Sequence, residues 1–220
     1  YEQAHEYRRQ LDDIDEPTAA DGRKAAELLG TAAERSLERD DLAAASSLAE
    51  RSIARLDERD AKVPPMLFEA ADALLGLGDV GRGRPVVERL SAVVGADERM
   101  VPWADSFVAQ LTMLTEPDRL RKAEQVADRA ASQLAELGDE AGVAKARLVR
   151  AGALARLGQI GRCEAELDQA LTAARSAGDR RRVAAVLGAA PVAALWGPSP
   201  IPRAGGRCLD VIRLLRITTG

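Results

Sequence analysis

Few residues in this sequence are of the types that carry out catalysis or bind metals. The 220 residues include one histidine, His5, and two cysteines, Cys163 and Cys208. Histidine-based metal sites and Ser-His-Asp triads need more partners than one histidine supplies. We interpret His5 as a solvated residue of an amphipathic helix and both cysteines as buried, unreactive thiols. No metal and no cofactor is therefore expected.

Neither the carboxylates nor two short segments of glycine and basic residues form a recognisable catalytic or phosphate-binding motif. Asp and Glu total 35 residues, nearly all at polar positions of helical patterns, and no pattern singles out an acid–base pair. The segments at 22–24 (GRK) and 81–84 (GRGR) lack the preceding strand and the full glycine loop of a phosphate-binding site. We therefore expect no catalysis in this chain.

Charge and hydropathy exclude further classes. The net charge of -4 argues against nucleic-acid binding, and no apolar run is long enough to span a membrane. The basic run Asp179-Arg180-Arg181-Arg182 is interpreted as a solvated face at the start of a helix, with a phosphate or nucleic-acid patch as the alternative. The small number of cysteines and the absence of a signal-peptide pattern near the start favour a cytoplasmic location.

An internal repeat organises the chain. Five segments share one spacing, in which a large aliphatic residue is followed three positions later by a small residue and then by further apolar or small residues. This i, i+3, i+7, i+10 spacing marks one face of a helix. The small residue recurs after 38, 40, 40 and 41 positions, at Ala45, Gly83, Ala123, Cys163 and Ala204.

Each of these helices has a partner that precedes it. Twelve positions before the small residue lie Ala33, Ala71, Leu111, Ala151 and Val192, and turn signals such as Gly78-Asp79 separate the two positions. Each unit is therefore predicted to be a helical hairpin, and such hairpins bury their apolar faces by stacking. The fold prediction is all-α: a right-handed superhelical solenoid of about five hairpins.

These hairpins resemble tetratricopeptide repeats (TPR), in which small residues let paired helices approach closely. Ala33, Ala45, Ala71, Gly83, Ala123 and Ala151 match those close-packing positions. Leu111 departs from the pattern, and a bulky residue there is expected to open its hairpin. We predict a linker helix over 1–19 and a repeat domain over 20–220, with repeats at about 22–59, 64–95, 101–137, 140–177 and 180–216.

Two short segments give a narrower resemblance. The segment YEQAHEYRR at 1–9 resembles the linker helix after the ATPase module of large actinobacterial signal-transduction ATPases, and LWGPSPIP at 195–202 resembles a turn in their last repeats. This resemblance implies a parent protein with a cyclase-like or DNA-binding regulator domain. Gly205-Gly206 departs from it, since two glycines cost about 2 kcal/mol of helix stability, and the last repeat is expected to be frayed or incomplete.

The concave face that the resemblance implies is the candidate binding site. First helices of each hairpin would line it, with exposed positions expected at Leu75, Val108, Gly152 and Ala189 among others. Aromatic side chains there would act as anchors, although Trp103 is equally interpreted as core. The family's carboxylate clamp uses Asn, which this chain lacks. The predicted site residues are Phe68, Asp72, Thr112, Leu148, Arg156 and Trp196.

The sequence thus predicts a non-catalytic interaction or sensor module, the regulatory repeat region of a larger signalling ATPase or transcriptional regulator. Its expected partner is a protein or peptide, either a separate one or another domain of the parent chain. Two alternatives stay open. A structural self-assembly module would form a homodimer through apolar solenoid ends. A fragment of a DNA-binding regulator would show basic patches on one face and salt-dependent binding to DNA.

Overall fold

The computed structural model describes residues 16–95, 97–198 and 200–219, together with Gln3 and Tyr7 near the N-terminus. From Glu16 onward the described chain is almost entirely helical and contains no strand, so the predicted all-α helical-repeat fold is confirmed. His5 and most of the predicted linker helix over 1–19 lie outside the described residues, as does Ser199 in the segment 195–202. The division into linker and repeat domain stays a prediction.

The helices fall into two compact units, Tyr1–Gly95 and Ala96–Gly220. Within each unit every helix packs against the next one along the chain. The first unit contains α1 (Glu16–Glu38), α2 (Leu42–Ile53), α3 (Val63–Leu77) and α4 (Val80–Val94). The second contains α5 (Val101–Thr115), a 3-10 turn (Pro117–Arg119), α6 (Leu120–Glu136), α7 (Glu140–Arg156), α8 (Ile160–Ser176), α9 (Arg180–Trp196) and α10 (Ile201–Thr219).

Contacts between alternate helices show how the hairpins stack. In the first unit α1 touches α3, and in the second unit α5 touches α7, which in turn touches α9. The first helices of neighbouring hairpins therefore form one layer within each unit. This arrangement is the one expected when hairpins bury an apolar face by stacking.

The turns between helices use the predicted glycine and aspartate chemistry. Gly78 adopts the left-handed conformation (φ 74°) at the end of α3, which suits a residue without a side chain. Asp79 then accepts a hydrogen bond from the backbone N–H of Arg82 at 3.1 Å and caps α4. The same aspartate cap occurs at the start of α2, α7 and α9, on Asp41, Asp139 and Asp179.

Small residues lie where paired helices cross. Ala33 of α1 and Ala45 of α2 are both fully buried, and Ala71 of α3 is as well. A Cβ atom added to Gly83 would lie only 3.0 Å from Leu75, so a larger residue there would separate α3 from α4. Leu111 is also buried, with 6% of its surface exposed. Its predicted effect on the opening of the α5–α6 hairpin stays a prediction.

The fifth hairpin does not follow the predicted packing. Val192 is 60% exposed and Ile201 is 87% exposed, although the ladder placed both in contacts between helices. Cys208 is exposed as well, so the prediction of a buried thiol is wrong there. Leu209 and Ile212 of α10 are exposed as well, so one side of its apolar ladder is not packed against the described residues. The helix nevertheless runs without interruption through Gly205-Gly206.

Pro85 lies inside a helix. Proline fits best in the first turn, where its missing N–H leaves no helical hydrogen bond unmade. The structure instead begins α4 at Val80, where Asp79 caps the helix, and places Pro85 inside the helix. The side-chain cap fixes the helix start several residues before the proline.

The basic run at the start of α9 is solvated only in part, since Arg180 is exposed but Arg182 is not. Arg182 is only 8% exposed. Its guanidinium group pairs with Asp179 and lies 5.3 Å from the ring centre of Trp103. The indole N–H of Trp103 donates to Asp139 at 2.6 Å, so the aromatic ring links the starts of α5, α7 and α9. Trp103 is therefore a core residue of the second unit.

Buried ion pairs join α6, α7 and α8, which sequence reasoning did not foresee. Arg150 of α7 is within 2.9 Å of both Glu124 of α6 and Glu166 of α8. Arg147 reaches the second oxygen of Glu166 at 3.0 Å. Removing one partner of such a network leaves a buried charge uncompensated, which is costly. The network therefore holds the charged side of α7 between two neighbours.

Two glycine substitutions test the packing around Trp103. A Cβ at Gly142 would lie 2.6 Å from a methyl group of Leu134 and 3.0 Å from the ring of Trp103. Gly142→Ala should therefore lower the free energy of unfolding by about 1–3 kcal/mol, because overpacking outweighs the gain in helix propensity. Urea unfolding followed by circular dichroism measures this change.

Gly188→Ala is the matched control in the same unit. Gly188 is exposed in the middle of α9, and a Cβ there would meet no atom within 4 Å. This substitution should raise stability by about 0.5–1 kcal/mol through helix propensity alone. If both variants were equally stabilised, the described contact of Trp103 and Leu134 with Gly142 would be wrong.

Candidate functional site

An open apolar pocket of about 340 Å³ lies among α7, α8 and α9 of the second unit. Its size is in the range of pockets that hold a small ligand or a bulky side chain. Only apolar residue types and one cysteine line it. They are Leu148, Ala151, Gly152 and Ala155 of α7, Ile160, Cys163 and Leu167 of α8, and Ala189, Val192, Ala193 and Trp196 of α9.

The pocket exists because the facing surfaces of α7 and α9 carry small side chains. Alanine and glycine at helical spacing leave space between two first helices that larger residues would fill. The floor belongs to an apolar cluster that includes Leu154, Leu167 and Val186. At the mouth, Trp196 is 75% exposed and Val192 is 60% exposed. A bulky aromatic ring in solvent beside an empty apolar pocket is a typical anchor for a partner.

Two of the predicted site residues meet in this pocket. Leu148 is half-buried on α7, and Trp196 lies across from it on α9. Gly152 and Ala189, which the concave-face pattern also named, line the same space. That these residues bind a partner stays a prediction.

Arg156 and Thr112 lie beside the pocket rather than in it. Arg156 is exposed at the end of α7, one residue after Ala155. One of its terminal nitrogens (Nη1) donates to the backbone carbonyl of Met113 at 2.7 Å. That carbonyl belongs to the last turn of α5, where intrahelical donors run out. Thr112 precedes Met113 and is half-buried.

The two predicted residues of the first unit are placed differently from the expectation. Phe68 is half-buried on α3, whereas Asp72 is only 2% exposed. Leu75, which was also expected on an open face, is 2% exposed. Helix α3 packs against α1, α2 and α4, so little of its surface is left for a ligand. The prediction of an exposed Asp72 carboxylate is wrong.

Sequence reasoning missed the side of the pocket that α8 supplies. Ile160, Cys163 and Leu167 belong to the packing ladder of α8. Cys163 and Leu167 are buried, with 4% and 2% of their surfaces exposed, and Ile160 is half-buried, yet all three border the pocket. The available signal was the excess of small residues on α7 and α9, opposite this ladder.

Cys163 is a weak nucleophile in this setting. It is 4% exposed, and burial raises the pKa of its thiol, as do the nearby carboxylates Glu164 and Glu166. A higher pKa means less thiolate at neutral pH and slower reaction. The thiol thus contributes to the apolar wall of the pocket and not to chemistry there.

The first unit has its own cavity of about 420 Å³ between α1 and the start of α3. Lys62 and Glu27 form an ion pair of 2.5 Å at its edge. One turn further along α3, an oxygen of the Glu69 carboxyl group is buried without a hydrogen-bond partner among the described residues. Burial, together with the charge of Glu34, raises the pKa of Glu69 to about 7.

Metal binding and membrane insertion find no support in the part of the chain that the structure describes. No three His, Cys, Asp or Glu side chains come together there as a metal site would require. None of the described helices has the length and apolarity that a membrane-crossing helix needs.

Comparison with known proteins identifies the fold. No protein-family model and no curated protein matches the sequence. The crystal structure of Rap protein complexed with Competence and Sporulation Factor matches with a TM-score of 0.66 at 10% sequence identity. The match covers 86% of this chain and 51% of that one, so this chain spans about half the length of the Rap chain. The chain has a TPR-like helical-repeat fold. Such folds serve many functions, so the function of this chain has to be inferred from its pocket and not from its fold.

The raised pKa of Glu69 predicts a pH-dependent stability. The native carboxyl group holds its proton up to about pH 7, whereas the unfolded one loses it near 4.5. The native state thus binds more protons in this window, and stability falls as pH rises through it. Because the side chain is partly exposed, we expect a loss of about 1–2 kcal/mol between pH 5 and pH 8.

Urea unfolding of the wild type and of Glu69→Gln at these two pH values isolates this contribution. The neutral amide cannot titrate, so the variant should lack the loss, while every other titrating group is the same in both proteins. An identical pH dependence in the two proteins would contradict the assignment.

Proposed function

We propose that this chain is a non-catalytic protein-interaction module that binds a peptide segment of a partner protein at the pocket among α7, α8 and α9. The observation that carries the proposal is the exposed ring of Trp196 at an open pocket with apolar walls. Aromatic anchors of this kind supply much of the binding free energy of interfaces. Rigid helices present them with little ordering cost.

A catalytic role has less support from the same surface. The one potential nucleophile in the pocket, Cys163, has a raised pKa and is buried. The carboxyl group whose pKa is raised to about 7, that of Glu69, lies in the first unit near a different cavity. Acid–base chemistry needs such groups within reach of one substrate. Binding is therefore the better account of the pocket.

The wider setting of the module is also proposed. The segments at 1–9 and 195–202 resemble parts of actinobacterial signal-transduction ATPases. We place the chain in the regulatory repeat region of a larger cytoplasmic signalling ATPase or transcriptional regulator. Its partner would then be another protein or another domain of the parent chain. The fold is similar to that of Rap protein, which was solved with Competence and Sporulation Factor, and this supports an interaction role.

One observation favours self-assembly as the second candidate. The last helix, α10, exposes Ile201, Leu209 and Ile212 along one side. An apolar side of this kind can pair with a second copy of the chain. A dimer that persists at low micromolar concentration and is abolished by Leu209→Arg would support this candidate.

Substitution of Trp196 tests the binding proposal. Peptides selected on the wild-type chain from a phage library of random twelve-residue peptides should bind the Trp196→Ala variant more weakly by about 1–3 kcal/mol, because the anchor is lost. Fluorescence anisotropy with labelled peptide measures the affinity. Phe68→Ala tests in the same way whether the first unit takes part.

Leu195→Ala is the matched control on the same helix. Leu195 is 75% exposed, as Trp196 is, but it does not line the pocket. Binding should be unchanged in this variant, and both variants should keep their helicity. Equal loss in both, a lower melting temperature with intact binding in Trp196→Ala, or failure to select any peptide would contradict the proposal.

A further inference from the structure

The pocket and Arg156 together point to the chemistry of the peptide that binds. Arg156 is exposed, and its hydrogen bond to the Met113 carbonyl uses one of the five N–H donors of the guanidinium group. Among the described residues no carboxylate pairs with it, in contrast to Arg147 and Arg150 on the same helix. Arg156 thus lies one helical turn after the pocket-lining Gly152, with its guanidinium group held at the end of α5 and most of its donors unused.

The spacing along α7 sets the distance between the two features. Leu148, Gly152 and Arg156 follow each other at intervals of four residues and so share one face of the helix. Four residues correspond to about 6 Å along the axis. An extended peptide covers this distance in about two residues. Gly152, midway between Leu148 and Arg156, has no side chain, and the flexible thioether of Met113 from α5 lies beside it.

We propose that the pocket takes a large apolar side chain of an extended peptide and that Arg156 binds a carboxylate one to three residues away from it. This proposal rests on the peptide-binding function proposed above and names the sequence class that is bound. Charge complementarity favours an acidic neighbour, since Arg156 is exposed and forms no ion pair with a carboxylate among the described residues. Arginine pairs with a carboxylate through two parallel N–H donors, which gives directional recognition.

The exposed surface at the mouth favours a peptide over a small amphiphile. Trp196 and Val192, which line the pocket, are 75% and 60% exposed, so their apolar surface extends around its mouth. A short fatty acid could fill the pocket and reach Arg156, but it would leave this apolar surface in water. A peptide segment covers both the pocket and its rim.

Selection from the random twelve-residue phage library tests the proposal on the wild-type chain and on Arg156→Glu. On the wild type, the selected peptides should share a large aliphatic or aromatic residue with Asp or Glu one to three positions away. On Arg156→Glu the acidic preference should disappear or change to Lys or Arg. A wild-type-selected peptide should lose about 5- to 20-fold in affinity for this variant.

Arg175→Glu is the charge-matched control, since Arg175 is exposed on α8 and does not line the pocket. Affinity for it should stay within about two-fold, because exposed charges outside the contact are weakly coupled. If Arg156→Glu does not fold, replacing the peptide's Asp by Asn on the wild-type chain makes the same comparison. The Asn peptide should then bind 5- to 20-fold more weakly.

The outcomes separate this proposal from the function on which it rests. Peptides that bind the wild type and lose affinity for Trp196→Ala, but show no acidic preference, would overturn the role of Arg156 and leave peptide binding at the pocket intact. Selection of no peptide that loses affinity for Trp196→Ala would overturn both. Binding of octanoate that is lost in Trp196→Ala, with no such peptide in the library, would assign the pocket to a small amphiphile and overturn the proposal as well.

Discussion

Close approach of paired helices at small residues is the constraint on which the rest of the structure depends. Ala33 and Ala45 are fully buried where α1 and α2 cross, and Ala151 and Cys163 occupy the matching places in α7 and α8. Side chains of this size let backbones come near enough for longer residues on either side to interlock. Within each unit, the second helix of a hairpin packs in turn against the first helix of the next hairpin.

The same preference for small residues creates the pocket. Alanine and glycine on α7 and α9 allow the hairpins to stack, but they leave space between two first helices where no longer side chain reaches. Ion pairs on another side of α7 hold it between α6 and α8, so the space does not close by movement of that helix. Small side chains on the helices thus explain both the close packing where helices cross and the open space of the pocket.

The sequence was sufficient for the repeat and its turns because both depend on local chemistry. Glycine at Gly78 and aspartate at Asp79 specify the end of one helix and the start of the next, whatever packs around them. The fold class followed from these signals and from the spacing of small residues. The concave-face pattern also named Leu148 and Trp196, which do line the pocket.

What the sequence could not predict depends on contacts between distant segments. The burial of Arg182 requires the ring of Trp103, which lies 79 positions earlier in the numbering, and no local pattern joins them. The burial of Asp72 follows from three helices packed around α3. Exposure of Cys208 depends on what covers α10, which its own ladder does not specify. The pocket wall on α8 was missed for the same reason.

Hydrogen–deuterium exchange with and without a selected peptide tests the central claim most directly. The account predicts slower exchange on peptide binding in the C-terminal halves of α7 and α9 and in the first turns of α8. Exchange in the first unit, Tyr1–Gly95, should not change. Protection confined to the first unit or to α10, with none around Trp196, would contradict the claim that this pocket is the binding site.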